Sequence, residues 1–153
     1  AAQYSEIDLS RVGINGWSFG GYMAALAVLR RPDIFHAAVA GAPVVDWADY
    51  DTHYTERYLG LPEENQQGYE ESSLLTYADK LERPLLIIHG TADDNVHVQN
   101  TMTMIEALVQ ANKQFDWAIY PDKNHGIYGG KTRLQLYTKM TNFIKEKLTE
   151  FKL

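Results

Sequence analysis

Arg11-Val12-Gly13-Ile14-Asn15-Gly16-Trp17-Ser18-Phe19-Gly20-Gly21-Tyr22 is the stretch that decides the fold. Residues Arg11 to Gly16 read as a short buried strand, and Phe19 to Leu29, rich in Ala, Leu and Met, reads as a helix. Between them, Gly16-Trp17-Ser18-Phe19-Gly20 matches Gly-x-Ser-x-Gly in the setting that motif requires, a strand before it and a helix after it. There the serine occupies a strained strand-to-helix turn that projects its Oγ outward. The flanking glycines remove side chains that would collide with neighbouring backbone, and Gly21 extends that tolerance. The helix N-terminus aims backbone N–H groups at the same point, so Phe19 N–H can donate to the oxyanion of a tetrahedral intermediate. The bland alternative is a chance pentapeptide on an ordinary βα turn, and the flanking strand and helix argue against it.

Outward from this turn the chain alternates strand and helix. His36 to Ala40 reads as a second short strand, stopped by Gly41 and Pro43, and Pro84 to His89 as a third, whose unbroken apolar run implies burial on both faces. Phe115 to Tyr120 makes a fourth. Before it, Val98 to Ala111 reads as an amphipathic helix with Met102, Ile105, Leu108 and Val109 at helical spacing, and a last helix runs roughly from Thr132 to Phe151. Such alternation predicts an α/β fold of about four parallel strands flanked by helices, joined by right-handed crossovers. Val44 to Tyr77 breaks the pattern with Trp47, Tyr50, Tyr54, Tyr58, Tyr69 and Tyr77 amid acidic residues. That composition suits short helices over the sheet's C-terminal edge, where ligands bind in such folds.

Composition narrows the function. With 153 residues and 45% hydrophobic content the chain can bury a core, and 14 Lys+Arg against 20 Asp+Glu give a net charge of −6 that disfavours phosphate backbones and hence nucleic acid. No apolar run approaches the roughly 18 residues of a membrane span. The absence of cysteine excludes disulfides, thiolate zinc sites and cysteine nucleophiles, and leaves the compartment open. Hydrolysis at a serine calls for no cofactor and no metal.

A serine hydroxyl is a weak nucleophile at neutral pH and needs a base whose tautomer is held by a carboxylate. In the α/β-hydrolase order the acid follows the strand two after the elbow and the histidine follows the next. Asp93, after the third strand, and His125, after the fourth, then reach the same sheet edge as Ser18 by topology. Asp94 rivals Asp93, His97 rivals His125, and Asp122 stands three residues from His125. His36 reads as a strand-start residue, His53 as a surface residue, and His89 as a strand-end residue that satisfies backbone or loop groups.

Four segments carry a family likeness. Gly16 to Tyr22, Tyr54-Thr55-Glu56-Arg57-Tyr58-Leu59-Gly60-Leu61-Pro62, His89 to His97 and His125-Gly126-Ile127 resemble the dipeptidyl peptidase IV branch of the prolyl oligopeptidase family, and the likeness runs over nearly the whole chain. It implies the C-terminal part of an α/β-hydrolase peptidase domain, with Ser18, Asp93 and His125 as triad and Phe19 in the oxyanion hole. It also implies that Val44, Trp47, Tyr50, Tyr54, Asn95 and Val96 line the pocket for the residue before the scissile bond. An apolar aromatic wall suits a proline ring, which has no N–H to satisfy. Without the likeness the same tyrosines are packing residues of a cap. Where Phe19 stands the family commonly has tyrosine, so a backbone donor is kept and a hydroxyl is lost.

The implied substrate is a peptide with proline or alanine in second position, cleaved as an N-terminal dipeptide; the compartment stays open, and a periplasmic or extracellular parent is compatible with the sequence. In the family an N-terminal β-propeller and the first half of the hydrolase sheet precede this region, with a second oxyanion donor; by that comparison the chain reads as a fragment that pairs with the missing part or with a second copy. An esterase or acylaminoacyl peptidase would share the triad without needing the aromatic wall. A non-catalytic interaction module would have no need to retain Ser18, Asp93 and His125.

Overall fold

The computed structural model describes residues 1–149, so the predicted end of the last helix at Phe151 lies outside the described residues. Strands β1 (Gly13–Trp17), β2 (Ala37–Gly41), β3 (Leu85–Gly90) and β4 (Asp116–Tyr120) form one sheet in that spatial order. Every neighbouring pair is parallel, with Trp17 opposite Gly41, Gly41 opposite Ile88 and Gly90 opposite Tyr120. Helix α1 (Phe19–Arg30) connects β1 to β2, α4 (Gln99–Gln110) connects β3 to β4, and α5 (Thr132–Thr149) ends the described chain. The α/β architecture expected from the strand and helix alternation is the one observed.

The two-residue period of the strands divides the core. Ala38 and Ala40 of β2 and Leu85 and Ile87 of β3 pack with Ala25, Val28 and Leu29 of α1 and with Met104 and Leu108 of α4. Ala37, Val39, Leu86 and Ile88 face the opposite way, onto Leu136 and Phe143 of α5. All of β2 and β3 is buried, as the apolar run of β3 demands. β1 differs from the buried strand read in the sequence: Gly13 and Asn15 are exposed, because among the described residues β1 pairs only with β2 and forms a sheet edge. It also starts two residues later than Arg11. Val12 N–H donates to His36 Nδ1 at 3.1 Å while His36 N–H donates to Val12 O at 2.7 Å, so a side chain replaces one rung of the ladder.

The buried stripe of α4 is rotated from the predicted one. Asn100, Thr101, Met104 and Leu108 face inward, whereas Val109 is exposed. Two polar residues on the inner face, each with a buried partner, turn the helix away from the stripe that hydropathy suggests.

Between β2 and β3 the chain makes a 3-10 turn (Trp47–Asp49), helices α2 (Thr52–Leu59) and α3 (Gln66–Ser72), and a 3-10 segment (Leu74–Lys80). The acidic residues among the aromatics act as caps. Asp46 accepts from Ala48 N–H and Asp51 from Tyr54 N–H, both at 2.9 Å, satisfying amides that open each short helix. Gly60, at φ 71°, ends α2.

Candidate active site

Parallel strands put the residues that follow them on one edge. Ser18 follows β1, the segment from Ala42 follows β2, Thr91 to His97 follows β3, and Pro121 to Ile127 follows β4. Ser18 has φ 59° and ψ −119°, a left-handed-side backbone that is strained for a residue with a side chain, and it directly precedes α1. Its N–H donates to Gly41 O at 2.8 Å, and its carbonyl accepts from Tyr22 N–H at 3.0 Å. Phe19 N–H therefore lies at the helix N-terminus, where no carbonyl one turn earlier can take it.

The turn is tight where the motif says it is, with one exception. A Cβ on Gly16 would lie 2.1 Å from Gly20 O, and one on Gly21 would lie 2.4 Å from Gly41 O, so neither position admits a side chain. A Cβ on Gly20 would meet nothing within 4 Å. The crowding expected at Gly20 comes from Gly16 approaching its backbone, not from its own missing side chain.

Asp93 and His125 are brought together. His125 Nδ1 lies 2.7 Å from Asp93 Oδ2 across 32 residues, with the carboxylate fully buried and the imidazole side chain 25% exposed. Asp93 Oδ1 accepts the N–H groups of Asn95 and Val96, each at 3.0 Å, which orients the carboxylate. The Nδ1 contact fixes the imidazole with its other nitrogen directed away from Asp93. The loop carrying His125 is tied to the serine turn: Trp17 Nε1–H donates to His125 O at 2.7 Å. Ser18 Oγ makes no hydrogen bond among the described residues, and contacts of this kind are commonly long without substrate. Asp94 and His97 are exposed, and Asp122, also exposed, directs its N–H to Thr91 Oγ1. His36 pairs with Val12, and His53 lies exposed on α2.

A cluster of aromatic rings begins at Phe19, the residue after Ser18. Trp47 stacks on Tyr54 with centroids 5.9 Å apart, and Tyr50 meets both edge-on at 5.7 Å. Phe19 and Tyr22 complete the cluster at 5.9 and 5.1 Å from Trp47. Phe19, Trp47 and Tyr54 open onto an apolar cleft of about 400 Å³, which Tyr58 and Leu59 also line. Val44 and Val96 are wholly buried in the core cluster that contains Trp47. Tyr50 Oη–H donates to Asn95 Oδ1 at 2.7 Å, joining the aromatic wall to the Asp93 loop. Burial pushes the Tyr22 and Tyr50 phenols above their ordinary range, so both remain protonated donors at neutral pH.

Sequence reasoning missed Asn100. Buried on α4, it accepts from Val45 N–H at 2.9 Å and so fixes the segment that carries Trp47. Its position at a predicted polar face gave no signal. Among the described residues no group of three or more His, Asp or Glu side chains is placed to hold a metal ion.

Compared with known protein families, residues 1–151 match the prolyl oligopeptidase family. The chain belongs to that family. It is 44% identical to mouse (Mus musculus) dipeptidyl peptidase 8 over 151 residues, covering 97% of this chain and 17% of that protein. Human (Homo sapiens) prolyl endopeptidase FAP is 43% identical over 143 residues, covering 92% and 19%. The crystal structure of Porphyromonas gingivalis dipeptidyl peptidase 4 superposes with a TM-score of 0.92 at 52% identity, covering 96% of this chain and 21% of that one. The chain thus spans about a fifth of the length of these members of the family.

Proposed function

We propose that this chain carries the nucleophile, base and acid of a serine exopeptidase that releases N-terminal dipeptides ending in proline or alanine. The observation that carries the reading is the Asp93–His125 hydrogen bond, tethered through Trp17 to the strained turn that presents Ser18. The imidazole nitrogen of His125 facing away from Asp93 takes the Ser18 hydroxyl proton as Oγ bonds to the scissile carbonyl carbon. The oxyanion receives Phe19 N–H at the helix N-terminus. Collapse breaks the C–N bond, and the proton held by His125 goes to the departing amine, leaving an ester on Ser18. Water then adds with its proton passing to His125, the dipeptide leaves as its acid, and Oγ regains the proton. Asp93 holds one tautomer throughout and offsets the charge of the transient imidazolium.

Trp47, Tyr50 and Tyr54 supply the apolar wall for the proline ring, with Val44, Asn95 and Val96 behind and beside it. Because the chain spans a fifth of its relatives, the activity is proposed for the polypeptide that carries it, as the C-terminal part of the catalytic domain. The unpaired edge of β1 is proposed to receive a further strand, from the remainder of that polypeptide or from a second copy. A fluorophosphonate probe should label Ser18 in the whole polypeptide and block release of chromophore from Xaa-Pro substrates. Failure of the wild-type protein to take up the probe overturns the reading.

A further inference from the structure

His89 is the fifth residue of β3 and has no exposed surface. Its Nδ1 lies 2.7 Å from Thr101 Oγ1, and its Nε2 lies 2.7 Å from Val96 O and 3.2 Å from Asp93 Oδ2. A carbonyl oxygen can only accept, so Nε2 carries the hydrogen. Nδ1 is then the acceptor of the Thr101 hydroxyl. Burial pushes the imidazole below its ordinary range, against the opposing pull of Val96 O and Asp93, which keeps the ring neutral at pH 7.

The consequence falls on Asp93. Val96 donates its N–H to Asp93 Oδ1 and gives its carbonyl to His89, so one peptide unit on each side of Val96 is fixed by a different partner. Asp93 Oδ2 sits between two histidines. His125 reaches it at 2.7 Å from a partly exposed position, where a proton can be exchanged with substrate, and His89 faces it at 3.2 Å from the interior, where none can. Turning the carboxylate away from His125 would require moving past a fixed N–H dipole. The strand supplies the rigidity, since β3 pairs on both sides.

We propose that His89 is a positioning residue of this site: its Nε2–H, fixed on that nitrogen by the carbonyl of Val96, holds the Asp93–Val96 loop and the Oδ2 of Asp93 in line with His125. The inference rests on the reading of Ser18, Asp93 and His125 as nucleophile, acid and base. A histidine that merely fills the space under the loop would affect how much protein folds, and would leave each folded site as reactive as before. A positioning residue changes the reactivity per site.

The test measures, in the full polypeptide, the second-order rate of fluorophosphonate inactivation and kcat per titrated site on an Xaa-Pro substrate. His89→Leu should lower both by about tenfold or more with KM little changed, since small misplacements of reacting groups cost that much. His89→Gln, whose amide N–H can reach the place of Nε2, should recover most of the loss. Thr101→Val, which removes the hydroxyl that anchors Nδ1 without changing side-chain volume greatly, should give an intermediate loss. In an Asp93→Ala background His89→Leu should add nothing, because it acts through the missing carboxylate. An unchanged rate per titrated site in His89→Leu, equal losses in the Leu and Gln variants, or a full additional loss in the Asp93→Ala background overturns the proposal. Should His89→Leu not fold, an unchanged rate in Thr101→Val overturns it instead. A wild-type protein inert to the probe would remove the function itself, an outcome distinct from all of these.

Discussion

Trp17 Nε1–H donates to the carbonyl of His125 at 2.7 Å, bridging 108 residues of chain. The bond joins the residue before the proposed nucleophile, Ser18, to the residue proposed as its base. It ties the loop after β4 to the end of β1, at opposite edges of the sheet, so the separation of Ser18 from His125 does not depend on loop conformation alone.

Trp17→Phe keeps an aromatic ring on the α5 face and deletes this donor. The expected result is a loss of about 1 kcal/mol of stability from the unpaired carbonyl. It should be accompanied by a fall of roughly tenfold in kcat/KM, carried mainly by kcat, since the proposed base His125 and not the pocket is displaced. Thermal melting and steady-state kinetics on the same preparation check both. Unaltered kcat would show that His125 is held without Trp17.

Ser18→Ala should abolish probe labelling and lower kcat by several orders of magnitude while leaving inhibitor or substrate binding largely intact. The strained backbone at φ 59° gives a secondary expectation. Among the described residues Ser18 Oγ makes no hydrogen bond that would offset the strain, so alanine bears it equally and the variant should melt within a degree or so of wild type. Retention of more than about a tenth of wild-type kcat removes Ser18 from the nucleophile's role.

The four strands were legible because β3 is a run of apolar residues and Gly16, Gly41 and Gly90 punctuate the strand ends. Topology then carried Asp93 and His125 to one edge without any measured distance. The inner face of α4 was not legible. Thr101 and Asn100 look like surface residues by hydropathy, yet one meets His89 and the other Val45, and such pairings between residues 12 and 55 apart leave no periodic trace. The choice between Asp93 and Asp94 was equally hidden. It depends on which carboxylate turns back onto the amides of Asn95 and Val96, a matter of loop dihedrals rather than composition. The exposure of β1 is not in its apolar pattern, which reports which residues can be buried and not how many neighbours a strand acquires; the open edge follows only from the family likeness, which puts a further strand beside it.

Trp47→Ala and Tyr50→Ala should each impair cleavage after proline more than after alanine. Both rings belong to one edge-on and stacked cluster that includes Phe19, the residue after Ser18, and a proline ring gains more from an apolar wall than a methyl group does. A difference of about 1–3 kcal/mol in relative kcat/KM, or roughly tenfold to a hundredfold, is the expected scale for a few methylenes. Tyr50→Phe separates wall from tether, since it keeps the ring and deletes the hydroxyl that reaches Asn95. It should spare the proline preference. Equal losses on both substrates in the alanine variants would reduce these rings to packing.

Buried His89 also sets a pH dependence of stability whose sign can be worked out. Its folded pKa lies below the ordinary 6.5, chiefly because burial disfavours the charged ring, with Val96 O and Asp93 opposing the shift. Below about pH 6.5 the unfolded chain therefore binds a proton that the folded chain refuses, so stability is complete above that pH and declines as pH falls through the interval down to the folded pKa. Each unit of depression corresponds to about 1.4 kcal/mol lost by the bottom of that interval. His89→Gln has no titrating group there and should lose less stability between pH 7 and pH 5 than wild type, even if it is less stable at pH 7. Urea midpoints with their slopes, measured at both pH values, give the difference directly. Parallel pH profiles for wild type and His89→Gln would mean that His89 takes up its proton in the folded protein as readily as in the unfolded chain.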